Sequence, residues 1–181
     1  MRRKIPLVTG GVYHIFSKSI AGFKVFNGEE DFLRMLYGLI FFRNARFGQG
    51  LSWLVRNDPE RIAGNDFVGY GPIRVQLIAY CLMRPHFHLL LRQQEDEGIS
   101  VFMSHLLNSY ARYFNLKYKR KGHLWSAAFQ NVPVETAEQA LHLTPYIHLN
   151  PVTAHLVDKP EDWPFSSYSE YTRDPDQDKD V

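Results

Sequence analysis

Residues 73–92 constrain the fold most. Two apolar, β-rich runs, IRVQLIAYCLM (73–83) and HFHLLLR (86–92), are separated only by Arg84 and Pro85. Two strands joined by so tight a turn run antiparallel. Side chains alternate across a strand, so His86 and His88 leave the same face, roughly 6–7 Å apart along the backbone. Phe87, Leu89 and Leu91 leave the other face and suit a helix layer. Two neutral imidazoles at that spacing can hold one divalent ion. Equally, an H-x-H pair matches by chance often enough that the rings simply fill gaps or sit in solvent at a strand end.

The rest of the chain supplies partners for this pair. Residues 12–20, VYHIFSKSI, alternate loosely and predict a first strand. Asn27 and the acidic Glu29, Glu30 and Asp31 mark a helix N-terminus, and the apolar spacing that follows predicts a helix over 28–46. Glycines and prolines punctuate 47–72, a long connection with a short helical piece near 51–56; connections of that length are usually functional or mobile. Ser100 is the expected N-cap of a helix over 101–118, with Met103, Leu106, Leu107, Tyr110 and Phe114 on its buried face. Residues 124–134 predict a fourth strand. Thr136 and Gln139 form a capping box opening a last helix that ends at Asn150-Pro151. Strand, helix, strand, strand, helix, strand is the split βαβ order of a ferredoxin-like α+β fold, an antiparallel sheet with two helices packed on one face. The last helix falls outside that repeat and is free to cross the open face, where the histidines point.

Composition narrows the function. The 181 residues suit one domain, expected over 1–170 with a charged, disordered tail over 171–181. One cysteine, Cys81, excludes an intrachain disulfide framework. No apolar run reaches 18 residues and no signal-peptide core follows Met1-Arg2-Arg3-Lys4, so a soluble, cytoplasmic protein is expected, without a membrane partner. Residues 158–181 carry 8 acids and 3 bases, which leaves 18 bases against 11 acids in residues 1–157. That excess suits a polyanion, although proteins that bind none often show as much. The densest cluster is KYKRKGH (117–123). With Arg112 upstream, Lys117, Lys119, Arg120 and Lys121 are candidate DNA contacts; the plain alternative is a solvated helix C-terminus stopped by Gly122. Trp125 would stack on an unpaired base, worth roughly 1–3 kcal/mol, or else belong to the core.

Tyr146 and Asn150 are four residues apart, so on a helix they share a face, while His148, rotated by roughly 200°, faces elsewhere. An Asn carbonyl oxygen can complete a His/His/amide metal site, and the tyrosine would stand beside the ion. The alternative makes Asn150 a helix C-cap before Pro151. Pro145 inside the helix costs about 3 kcal/mol or forces a kink, with a break expected at Leu143 or Thr144. Tyr110 and Tyr113 are the next candidate nucleophiles.

Four blocks in order, MRPHFHLLL, KGHLWSAAF, YIHLNPV and DWPFSSY, resemble the single-tyrosine HUH transposases of bacterial insertion sequences, and within them the REP-associated tyrosine transposases. The resemblance spans about residues 80–168. It implies a ferredoxin-like nuclease with His86 and His88 as the metal motif, Asn150 as third, amide-type ligand and Tyr146 as nucleophile on an extra C-terminal helix. It implies cutting of single-stranded DNA beside REP-like hairpins, with the 5′ end held as a phosphotyrosine, by a nucleoid-associated monomer or homodimer. The ion would be Mg²⁺ or Mn²⁺; imidazole ligands make Mn²⁺ at least as good a fit. Ala127-Ala128 stand where a basic residue is expected. A hairpin-DNA binder that has lost cutting, and a protein whose histidines are structural, remain alternatives.

Overall fold

The computed structural model describes residues 6–44, 48–58, 60 and 72–173. Strands β1 (Val12–Lys18), β2 (Val75–Met83), β3 (His86–Gln93) and β4 (Gln130–Val134) form one sheet in the order β2-β3-β1-β4. All three pairings are antiparallel. Helix α1 (Glu29–Phe42) joins β1 to β2, and α3 (Gly98–Lys117) joins β3 to β4; α2 (Leu51–Asn57) lies between α1 and β2. This is the expected ferredoxin-like arrangement. The next long helix, α4 (Ala137–Thr153), follows the repeat, and a short α5 (Tyr168–Thr172) follows that.

The two faces of the sheet differ as the alternation predicts. Phe87, Leu89 and Leu91 are fully buried with Phe102, Met103, Leu106 and Met35 in the main core under α1 and α3. The helices meet closely at Gly38, where any Cβ would stand 2.8 Å from Leu106 Cδ1. On the opposite face Ala79, Cys81, Met83 and Leu90 form a small second cluster, closed by Ile147 from α4. The last helix therefore does cross the open face.

Several boundaries depart from expectation, each for a tertiary reason. Helix α1 ends at Phe42, short of the expected 46. Helix α3 begins at Gly98, and Ser100 is inside it. The cap comes from β3 instead, where Gln93 Oε1 accepts from the Ile99 N–H at 3.1 Å. A Cβ at Gly98 would meet the Arg74 carbonyl oxygen at 2.5 Å, so that position tolerates only glycine. Strand β4 begins at Gln130 rather than 124, because β1 offers a ladder partner only as far as Phe16 opposite Gln130. Residues before it wrap the end of β1 through Leu124 O, which accepts from Ile20 N–H, and Ser126 N–H, which donates to Lys18 O. The short helical piece near 51–56 is α2; residues 47, 59 and 61–71 of that connection lie outside the described residues. Helix α4 runs through Pro145 without the expected break.

The C-terminal segment extends the sheet past β2. Leu82 N–H donates to Phe165 O at 2.9 Å and Ser167 N–H to Tyr80 O at 3.0 Å. Phe165 stacks on Phe32 at 3.8 Å between ring centroids. Order continues into the stretch expected as tail: α5 reaches Thr172, and the Tyr171 hydroxyl donates to Ile78 O at 2.7 Å. Residues 174–181 lie outside the described residues. No described helix is long and apolar enough to cross a membrane.

Lys117 belongs to this architecture. Asp31, fully buried, accepts from Lys117 Nζ at 2.8 Å, from the Tyr113 and Tyr118 hydroxyls at 2.9 and 2.7 Å, and from the Asn27 N–H at 2.9 Å. Burial alone would raise the Asp31 carboxyl, but these donors outweigh it and hold the pKa below the ordinary value. The network ties the start of α1 to the end of α3. Asp31→Asn is expected to destabilise the fold by on the order of 3 kcal/mol in denaturant unfolding, as breaking a buried charge pair does. A depressed carboxyl contributes stability above its unfolded value near 4 and loses it as pH falls through the folded one. The wild type should therefore lose stability below about pH 4, and the Asn variant should lack that component.

Candidate active site

The open sheet face collects histidines from two strands. His88 on β3 lies opposite Phe16 of β1, His86 opposite Lys18, and Leu90 opposite His14. The rings of His86 and His88 are perpendicular, 5.1 Å between centroids. His14, which the sequence reading did not single out, stacks beside His88 at 5.1 Å, with its Nε2 2.9 Å from His88 Nδ1. One of those two nitrogens carries the shared proton, which fixes the tautomer of both rings. The signal for His14 was its parity, since residues 14, 16 and 18 alternate onto one face; only the pairing of β1 with β3 says that this is also the face of His86 and His88.

Burial keeps these rings neutral. Desolvation pulls His14 down to about 4 and, with help from His14, His86 and Lys18, pulls His88 down to about 3. His86 is lowered by burial and by Lys18. A neutral imidazole keeps one nitrogen lone pair available, as a metal ligand must. Cys81 lies directly opposite His88 on β2, but burial raises its thiol to about 12, so it stays protonated.

Tyr146 is delivered to this face by α4. Its ring stands edge-on to His88 and His14, with centroids 6.1 and 6.4 Å away. It is 54% exposed, open to a large substrate. The residues after it hold it there. Ile147 is fully buried in the second cluster. His148 turns away, as its rotation predicts: it is 4% exposed, and its Nε2 lies 2.8 Å from Ser167 Oγ, which also accepts from the Tyr80 N–H. Asn150 sits one turn beyond Tyr146. Its Nδ2 donates to the Tyr146 and Ile147 carbonyls at 2.7 and 3.3 Å, so Oδ1 is the end of the amide that could ligate. Among the described residues no three His, Cys, Asp or Glu side chains form a ready metal cage, so an ion here needs a ligand of another type, such as that amide.

The remaining sequence candidates sit elsewhere. Tyr110 is buried and donates to the Val25 carbonyl, and burial raises its phenol strongly. Tyr113 donates to Asp31 and is raised to about 12, first by burial. Neither is a competent nucleophile. Trp125 donates its indole N–H to Leu107 O at 3.1 Å and packs edge-on to Phe87, which puts it on the helical side as part of the core rather than a platform for bases. Lys117 is committed to Asp31 and Glu30. Arg120 stacks over Phe23 at 5.2 Å and donates to Asn115 Oδ1. Arg112 points into a cleft on the helical side, which Arg120 also lines. Lys119, at φ +50°, and Lys121 are exposed in the turn after α3. Lys18, not singled out by sequence, is the base that stands next to the histidines.

Comparison with known proteins gives a family match over part of the chain, a relative and a shared fold. Residues 71–150, which hold His86, His88, Tyr146 and Asn150, match the family model described as "Transposase IS200 like". A protein of Haemophilus influenzae (strain ATCC 51907 / DSM 11121 / KW20 / Rd) described as a REP-associated tyrosine transposase is 30% identical over 105 residues. That match covers 51% of this chain and 58% of the relative, so the chain spans little more than half the relative's length. A solved structure of a REP-associated tyrosine transposase bound to a REP hairpin shares the fold, with a TM-score of 0.64 at 16% identity over 94% of this chain and 84% of that one.

The seating of α4 is testable. Ile147→Ala should cost about 2–5 kcal/mol. It should appear as a lower midpoint of denaturant unfolding at an unchanged slope.

Proposed function

We propose that this chain, related through residues 71–150 to the IS200-like transposases, is a metal-dependent endonuclease and strand-transferase of single-stranded DNA. It cuts beside REP-like hairpins and holds the 5′ end on Tyr146. The observation that carries this reading is an exposed phenol edge-on to two neutral imidazoles, His88 buried and His14 half-buried.

The residues fit a divalent ion. His86 and His88 offer uncharged nitrogen donors from one strand face, and Asn150 offers an amide oxygen from the helix that brings Tyr146. His14 acts behind them: with the shared proton on His88 Nδ1 and donated to His14 Nε2, His88 Nε2 keeps the lone pair that an ion takes. When bound, Mg²⁺ or Mn²⁺ supplies Lewis-acid polarisation of the scissile phosphate. Tyr146 does the bond-making. Its phenol oxygen attacks phosphorus, the bond to the 3′-oxygen breaks, and the phenol gives up the proton that the leaving oxygen takes. The phosphotyrosine keeps the energy of the phosphodiester, so rejoining or transfer to another 3′ end follows without a nucleotide cofactor. A phenol is a weak nucleophile until a cation or base activates it, and Tyr146 is held beside the imidazoles that would carry that cation. DNA is the partner, and the reading places the chain on the bacterial nucleoid.

The test uses hairpin oligonucleotides labelled at the 5′ or the 3′ end, with Mn²⁺. The segment downstream of the cut should migrate as a covalent protein adduct, and Tyr146→Phe should abolish it without changing oligonucleotide affinity. A wild-type protein that shifts the hairpin but never forms the adduct with any divalent ion would be a binder and not a nuclease. His14→Ala should keep the adduct but weaken divalent-ion affinity about 10–100-fold, as loss of an outer-shell partner does; a metal titration of adduct formation reads this.

A further inference from the structure

The helical side of the molecule, away from Tyr146, carries a cleft between α1, α2 and α3 with an unusual floor. Arg34 of α1 is only 6% exposed there. Its Nη2 donates to Ser52 Oγ on α2 at 3.2 Å and to Ser109 Oγ on α3 at 3.1 Å. Its Nη1 is buried without a partner, and among the described residues no carboxylate pairs with it. Asp31, one turn earlier, is committed to Lys117, Tyr113 and Tyr118. Besides the two serines, the guanidinium has the face of Tyr113, 5.6 Å away. A buried cation without a counter-ion is costly unless negative charge arrives from outside.

The cleft is built to receive such charge. Each serine accepts from Arg34, so each keeps its own O–H to donate, and both line the cleft. Arg56, Arg112 and Arg120 stand along it, and among the described residues no Asp or Glu lines it. Its volume of ≈ 1340 Å³ exceeds the ~300–1,000 Å³ usual for small-molecule pockets, which favours a polymer over a metabolite. We propose that this cleft seats the phosphate backbone of a nucleic acid, with Ser52 and Ser109 donating to phosphate oxygens, Arg112 and Arg120 along the rim, and Arg34 as the buried charge beneath. The inference rests on the DNA-processing reading above and adds a second contact surface across the sheet from Tyr146. Arg120 links the two, because the segment after it wraps the end of β1, where Ser126 bonds the carbonyl of Lys18, the residue opposite His86. A stem held in the cleft would send its single-stranded flank round that end to Tyr146.

Fluorescence anisotropy on the full chain across a salt series tests this, with a hairpin bearing a single-stranded flank and with the flank alone. Arg112→Ala and Ser109→Ala should each weaken hairpin binding several-fold and leave flank binding unchanged. Arg112→Ala should also lower the slope of log K against log salt by about one contact. Arg112 is exposed, so this variant reads the seat without disturbing the core, whereas Arg34→Met tests the floor alongside a thermal melt. Unchanged hairpin affinity and slope in both surface variants would overturn the proposal. So would a melting temperature raised by inorganic phosphate in the wild type but not in Ser109→Ala, if hairpin affinity stayed the same, since the seat would then take a free anion. Hairpin binding that depends on Arg112 in a protein that forms no Tyr146 adduct would sink the nuclease reading and uphold the seat.

Discussion

The pairing of β1 with β3 is the constraint on which the site depends. Its register sets His14, Phe16 and Lys18 on one face beside Leu90, His88 and His86. A slip of one residue would send His14 to the core and Tyr13 or Ile15 to the open face. The main core prevents that slip, because Ile15, Leu89 and Leu91 are fully buried on the other side. The apolar packing of α1 and α3 thus fixes the polar chemistry of the opposite face. The histidines need no network of their own beyond the contact between His14 and His88.

Bringing Tyr146 to that face is a separate problem, solved by the residues on either side of it. Pro145 has no N–H to give the Leu141 carbonyl, and it sits on an outer stretch of the helix, where Leu141 is 74% exposed. That explains why α4 tolerates a proline without breaking. Ile147 and His148 then fasten the helix at two points. Ile147 enters the cluster over β2 and β3, and His148 meets Ser167, whose hydroxyl also bonds the backbone of Tyr80. The DWPFSSY segment, which bridges to Cys81 on the strand next to His88, therefore bears on Tyr146 through the helix that carries it.

Much of this was legible in the sequence because it is local. Alternation within 73–92 gives the two faces of the hairpin, and the spacing of Tyr146, His148 and Asn150 separates what faces the site from what does not. What escaped depends on residues distant in the chain. Parity places His14 on one face of β1 but cannot say which strand lies beside it. A run such as KYKRKGH shows charge but not counter-charge, and Lys117 meets its carboxylate at Asp31, on another helix. Ser100 has the chemistry of an N-cap, but Gln93 of the preceding strand reaches the Ile99 N–H instead. Trp125 is an aromatic beside basic residues in sequence and a core residue in space.

The contents of the open face also explain which chemistry it can support. Burial favours the neutral forms of His14, His88 and Cys81 alike, but the consequences differ. A neutral imidazole still carries a lone pair for a cation, whereas a neutral thiol is a poor ligand and a poor nucleophile. Desolvation therefore silences Cys81, directly opposite His88, while leaving the histidines able to bind. The exposed phenol of Tyr146 stands edge-on over those imidazoles, which is where the covalent mechanism proposed above needs its oxygen.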